Sequence, residues 1–279
     1  MKKINKMKMG AATVFVALIS FSGCQKMTRP ALGDYTSDVP VEITTPLRFF
    51  VPFEGTDPVS RFNMADDISK NPAFVTSLTT VDGGVSGKAL QGADGAAVKY
   101  LNANDIKSAT SLTIAFWVKR ALNSRTEFYF GLTGDSKDYW AESAMFMLVE
   151  RGSLTAATVK LYLDDKWFEF PDGNQMNAPL LDGNWHHMTI VYNEATSLMK
   201  WYFDGAPIAA PASATTQLTG PLRLKSAGAM ILGGFNKHAG MSGLQDSWIS
   251  SFAGNMDQFR MYNTALTDSE VLALYNSRQ

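Results

Sequence analysis

The sequence predicts an all-β protein, a sandwich with a short C-terminal helix, and three observations underlie that reading. Beyond Leu47, short apolar runs rich in Val, Ile, Phe, Tyr and Trp alternate with Gly, Asn and Asp clusters, the pattern of strands joined by turns. No segment before the C-terminus sustains the apolar stripe of an amphipathic helix. The eleven or more candidate strands in one unit suggest two packed sheets.

In chain order, the candidates are Leu47–Phe53, Ala96–Tyr100, Leu112–Lys119, Thr126–Leu132, Ala144–Glu150, Thr158–Leu163, Trp167–Phe170, His186–Asn193, Met199–Phe203, Met230–Gly233 and Gly254–Tyr262. Asp204-Gly205 separates Lys200–Phe203 from Ala206–Ile208, and because Gly and Asp accept positive φ, this pair predicts a two-residue hairpin turn. Near the end, Thr267-Asp268-Ser269-Glu270 fits a capping box, with Val271, Leu274 and Tyr275 then on one face. That segment is expected to be a short helix packed on the sandwich.

The sheet region, residues 47–279, follows two other segments. Lys2, Lys3, Lys6 and Lys8 precede the apolar run Ala11–Phe21 and the small residues before Cys24. The run is shorter than the roughly 20 residues that span a bilayer as a helix, so residues 1–23 read as an export signal. Phe21-Ser22-Gly23-Cys24 resembles a bacterial lipoprotein box, in which the only cysteine would be lipidated and become the mature N-terminus; an ordinary buried cysteine is the alternative. Residues 24–46 carry Pro30, Pro40 and Pro46 without sustained periodicity and read as a tether.

Composition narrows the partners. A formal net charge of -1 and 18% charged residues give no global basic field for nucleic acid. Three histidines and one cysteine offer few soft metal ligands.

Leu112-Thr113-Ile114-Ala115-Phe116-Trp117-Val118, Asn184-Trp185-His186-His187-Met188-Thr189-Ile190-Val191-Tyr192, Trp201-Tyr202-Phe203-Asp204-Gly205, Ile231-Leu232-Gly233-Gly234 and Gly254 through Leu266 resemble, in order, the signatures of laminin-G-like domains. Val85-Ser86-Gly87-Lys88-Ala89-Leu90 looks like the early Gly-Lys-Ala-Leu element of the same family. The resemblance spans roughly residues 48–277 and implies the concanavalin A-like lectin/glucanase jelly roll, a sandwich of two antiparallel sheets, one convex and one curved around a groove. Together with the lipobox and tether, it implies a glycan-handling lipoprotein of the Bacteroidetes type, held at the outer membrane by its lipid and able to work beside glycan-importer components.

Enzymes of this fold place their acids as Glu-x-Asp-x-x-Glu or a close variant on one strand. Here the eight glutamates never come closer than Glu142 and Glu150, so that motif is absent. Asp165 and Glu169 share a face if extended, but four residues at about 3.3 Å separate their backbones by about 13 Å, beyond the roughly 5–9.5 Å that glycosidases use. Asp164-Asp165 reads better as a polar turn. Acids from separate strands, or a lyase using His or Tyr, remain the catalytic alternative. His186 and His187 are adjacent on a strand, point to opposite faces and cannot comfortably share one metal; packing is preferred for them, and His238 lies in a Gly-rich loop without a sequence partner.

The resemblance also implies one structural calcium ion, with Asp257 as its acid, Glu54 after the first strand and Gly95 in the Asp94-Gly95 turn as further ligands. The alternative is that Asp257 only accepts hydrogen bonds within the sheet. For glycan, exposed aromatic faces are the natural contacts: Trp140 and Trp248, in polar loop stretches, and Trp167, flanked by Asp165, Lys166 and Glu169, are the candidates, each weighed against simple packing on its own domain. Trp117, Trp185 and Trp201 are assigned to the core. The leading expectation is therefore a non-catalytic carbohydrate-binding lipoprotein of the cell envelope, ahead of a protein–protein adhesion module and a cryptic glycosidase or lyase.

Overall fold

The computed structural model describes residues 45–56, 72–101, 105–134, 143–225, 227–242 and 245–278. Residues 1–44, with Cys24 and most of the tether, and Trp140 lie outside them. The strands are β1 Leu47–Val51, β2 Phe74–Val75, β3 Thr79–Asp82, β4 Lys88–Gln91, β5 Val98–Tyr100, β6 Leu112–Ala121, β7 Thr126–Thr133, β8 Ser143–Gly152, β9 Ala157–Leu163, β10 Lys166–Phe170, β11 Asp182–Asn193, β12 Leu198–Phe203, β13 Ala206–Pro207, β14 Ala229–Leu232, β15 Ile249–Ser251 and β16 Asn255–Tyr262, followed by helix α1, Asp268–Ser277. All eleven expected strands are present, with ends shifted by a few residues. The additional β2, β3, β4 and β15 are two to four residues long, too short to display a period.

Among the described residues, two eight-stranded sheets form the sandwich. The first runs β13-β12-β11-β6-β16-β4-β3, with β1 also paired to β16; the second runs β10-β9-β8-β7-β14-β5-β2, with β15 paired to β7. Neighbours are antiparallel except β15, which runs parallel to β7. The inner faces meet through alternating residues: Phe116 and Val118 of β6, Met188 and Ile190 of β11, Met145 and Met147 of β8, and Leu161 and Leu163 of β9 are all buried in one cluster. Asp204 and Gly205 both have positive φ, 50° and 78°, and join β12 to β13 in the expected hairpin.

The intervening residues lie on the outer faces. On the first sheet, Val271 of α1 and Leu266 just before the helix cover Val191, Tyr202 and Tyr262. The capping box of α1 forms as the sequence indicates: Thr267 Oγ1 accepts from the Glu270 amide and Glu270 Oε2 accepts from the Thr267 amide. The three strand-motif tryptophans divide among different environments. Trp201 is central to the core, 1% exposed. Trp117 is buried on the outer face, stacked 5.4 Å from Tyr275 of α1. Trp185 departs from the core assignment: it is half-buried at the edge, and its indole N–H donates to the Gly83 carbonyl.

Candidate functional site

On the outer face of the second sheet, strand register builds an aromatic layer. Gly131, Phe146, Tyr162 and Trp167 stand opposite one another in succession across β7, β8, β9 and β10. Phe146 and Tyr162 stack with centroids 5.0 Å apart and planes at 10°, while Trp167 meets both edge-on at 5.3 and 5.2 Å. Gly131 lacks a side chain where Phe235 descends: a Cβ there would stand 3.7 Å from that ring. Phe128 of β7 completes the layer, 4.7 Å from Phe235 and 6.2 Å from Trp248. Phe146 and Tyr162 are buried, Trp167 is half-buried, and Trp248 is 48% exposed. The layer therefore presents two tryptophans at its rim.

Beside the aromatic row runs a charged one. Lys160 faces Glu169 across β9 and β10, and its Nζ lies 2.7 Å from Glu150 and 3.6 Å from Glu169. The β9–β10 turn is the polar turn expected of Asp164-Asp165, both at positive φ (48° and 62°). Asp164 accepts from the Arg223 amide; Asp165 accepts from the Tyr162 hydroxyl at 3.3 Å and pairs with Lys225. Burial, reinforced by Asp165, pushes the Tyr162 hydroxyl up to about 12, so it stays protonated as a donor. Beyond the 3-10 turn Asn236–Ala239, the same sheet face continues into a separate recess of about 180 Å³ lined by Lys99, Leu101 and Met241.

The structure thus brings Trp167 and Trp248 to one surface, and Trp140 lies outside the described residues. Asp257 and Glu54 also come together. The Asp257 carboxylate accepts from the amides of Val85 and Ser86 through Oδ2 at 2.7 and 3.2 Å. Its Oδ1 is buried without a hydrogen-bond partner among the described residues. Glu54 Oε2 accepts from the Lys88 amide of the same loop. Burial, with a further contribution from the Glu54 charge, pushes the Asp257 carboxyl up to about 7 against the lowering by those amides. Gly95 belongs to another cluster, donating its amide to Ser251 Oγ at 2.8 Å.

The histidines are built into the framework. His187 is 1% exposed beside Trp117, and burial lowers it to about 3. His238 caps its own 3-10 turn by accepting from the Phe235 amide, and burial lowers it to about 4. His186 lies between two carboxylates, Nδ1 2.9 Å from Asp204 and Nε2 3.1 Å from Asp182. Only the imidazolium donates at both nitrogens; burial opposes the charge, but Asp204 and Asp182 prevail and raise its pKa above 6.5. Because the folded pKa lies above the unfolded value, the stabilisation is full below about pH 6.5 and is lost as pH rises through the folded pKa. Melting temperatures of the wild type are expected to fall across that window more steeply than those of His186→Gln, and parallel profiles would contradict the assignment.

Comparison with known proteins matches this geometry to a family. The family model described as Concanavalin A-like lectin/glucanases superfamily, of laminin-G type, matches residues 91–272. No curated protein matches the chain in sequence. Among solved structures, the chain is similar to domain 4 of AbnA, a GH43 extracellular arabinanase from Geobacillus stearothermophilus in complex with arabinotriose, at 16% identity and TM-score 0.53, covering 82% of this chain and 98% of that one. It is also similar to the binding domain of botulinum neurotoxin serotype D/C, at 12% identity and TM-score 0.56, covering 84% of this chain and 52% of that one. The receptor-binding domain of the botulinum neurotoxin C/D mosaic serotype follows at 10% identity and TM-score 0.54, with 83% and 51% covered; the chain spans about half the length of these two toxin chains. With its two antiparallel sheets and a family match over most of the sheet region, the chain belongs to the laminin-G-type family of the concanavalin A-like lectin/glucanases superfamily.

Proposed function

We propose that this chain is a non-catalytic carbohydrate-binding lipoprotein of the bacterial cell envelope, anchored in the outer membrane through Cys24, which captures glycan on the outer face of the second sheet. The observation behind this reading is the aromatic layer with Trp167 and Trp248 at its rim, beside polar groups that can meet sugar hydroxyls. The arabinanase domain, solved with arabinotriose, supports it as a relative in fold. Glu150 and Glu169, beside the layer, are both engaged with Lys160, and Asp165 is engaged with Tyr162 and Lys225, which favours binding over turnover. The test is retention of the purified full-length chain on a panel of polysaccharides. The reading expects retention without accumulation of reducing ends or unsaturated products; products, or no retention anywhere, would contradict it.

The anchor has its own test. Cys24→Ser is expected to shift the protein out of the detergent phase on phase partitioning and away from the outer-membrane fraction. Unchanged partitioning would refute lipidation.

The calcium ion implied by the family fits the residues present, because Asp257 Oδ1 is a buried oxygen without a hydrogen-bond partner among the described residues and Glu54 brings a second carboxylate to the same loop. We propose that Asp257 and Glu54 hold this ion and that it ties the loop 83–88 to β16. A carboxyl raised to about 7 loses folding stability as pH rises from about 4 toward 7, and must ionise to bind a cation. Added calcium is therefore expected to raise the melting temperature more at pH 8 than at pH 6, with the response absent in Asp257→Asn. A calcium-indifferent melting curve at pH 8 would refute the site.

A further inference from the structure

We propose that the aromatic face selects neutral glycans and excludes those bearing uronate or sulfate groups. This inference rests on the glycan-binding reading and adds a substrate class to it. The argument is one of charge. Lys160 is the cation set within the face beside Trp167, and its ammonium is already held by Glu150 at 2.7 Å and Glu169 at 3.6 Å. Lys225, at the turn that ends the aromatic row, is engaged by Asp165 at 3.3 Å. Near Trp248, Lys237 donates to the Asp246 carbonyl at 2.7 Å, which orients its ammonium without cancelling the charge, so the exclusion acts at the Trp167 end of the face. Lys99 belongs to the separate recess beyond Asn236–Ala239.

Among the described residues on the face that carries Trp167, Glu150, Glu169 and Asp165 therefore stand against Lys160 and Lys225, both paired, while Lys166 alternates to the opposite face of β10. A carboxylate or sulfate on a sugar seated against Trp167 would lie well within a Debye length, about 8–10 Å, of Glu150 and Glu169. Among the described residues on that face, it would gain a cation only by displacing one of them. A neutral sugar meets no such opposition: its hydroxyls donate to the remaining lone pairs of Glu150 and Glu169 and accept from Lys160, while its apolar ring face lies on the indole.

The experiment is affinity electrophoresis of the full-length chain in detergent, through gels containing arabinan, xylan or dextran on one side and polygalacturonate or chondroitin sulfate on the other. The proposal expects retention by at least one neutral polymer, little changed up to about 0.5 M salt, and none by the acidic polymers. In Glu150→Gln/Glu169→Gln, Lys160 is released, and retention by polygalacturonate, absent in wild type, should appear at low salt and vanish as salt is raised, the effect of roughly one unmasked ion pair. Salt-sensitive retention of wild type by an acidic polymer overturns the neutral-glycan assignment and leaves glycan binding standing. A folded double variant that gains no acidic retention also overturns it. Failure of both polymer classes overturns the glycan reading and this inference with it. Should the double variant not fold, the wild-type comparison alone decides.

Discussion

Trp201→Ala is expected to destabilise the protein by about 3–5 kcal/mol, the range for removing a fully buried large aromatic side chain from a packed core. Trp201 is 1% exposed, stands opposite Ile190 on β11, and meets the edge of Phe170 from the other sheet at 5.1 Å. It thereby joins the two sheets near the ends carrying β10 and β12. Its indole N–H also donates to the Ala214 carbonyl at 2.7 Å, so the substitution both opens a cavity and leaves a buried acceptor unpaired. For a domain of this size, the melting temperature should fall by roughly 6–20 °C. Trp201→Phe, which keeps a ring but not the donor, should lie between the two. A shift of a degree or two for the alanine variant would refute the role assigned to this side chain.

The largest functional effect is expected from removing both rim tryptophans. Aromatic stacking contributes about 0.5–1.5 kcal/mol per contact beyond area burial. If Trp167 and Trp248 act independently, Trp167→Ala/Trp248→Ala should weaken binding to a retained polysaccharide roughly five- to hundredfold. The single variants separate structure from recognition. Trp248, 48% exposed, can be truncated with little change in melting temperature, whereas Trp167 packs on Phe146 and Tyr162 and its loss should lower stability modestly. Both variants must be titrated below their transitions. Unchanged affinity in the folded double variant would exclude this face as the site.

Sheet class, the order of the long strands, the Asp204-Gly205 hairpin and the capped helix were legible because each depends on local rules: turn chemistry, strand composition and the Thr267–Glu270 reciprocity. The short strands were not, since Thr79–Asp82 or Ile249–Ser251 is recognisable only through its partners. The same limit applied to the site. Phe128, Phe146 and Tyr162 are not distinguished by the sequence, because an aromatic side chain on either face of a strand looks alike in composition. The usable signal was parity: Phe146 and Glu150 share a face of β8, as do Lys160 and Tyr162 on β9, and charged residues at those positions mark the face turned away from the core. Trp185 shows the opposite error, since its motif suggested the core while its place at the start of β11, next to a register shift, leaves it half-buried. Asp257 and Glu54, 203 residues apart in sequence, came together through the resemblance; their meeting at the loop 83–88 is a product of topology that no local pattern encodes.

The central claim, that glycan seats on Trp167 and Trp248, is tested most directly by following the indole N–H resonances of the six tryptophans while a soluble oligosaccharide of a retained polymer is titrated in. The account predicts saturable shifts of the Trp167 and Trp248 signals, with those of Trp201 and Trp117 unmoved. Shifts at Trp117 or Trp185 with Trp167 and Trp248 silent would place the ligand on the other sheet and contradict it.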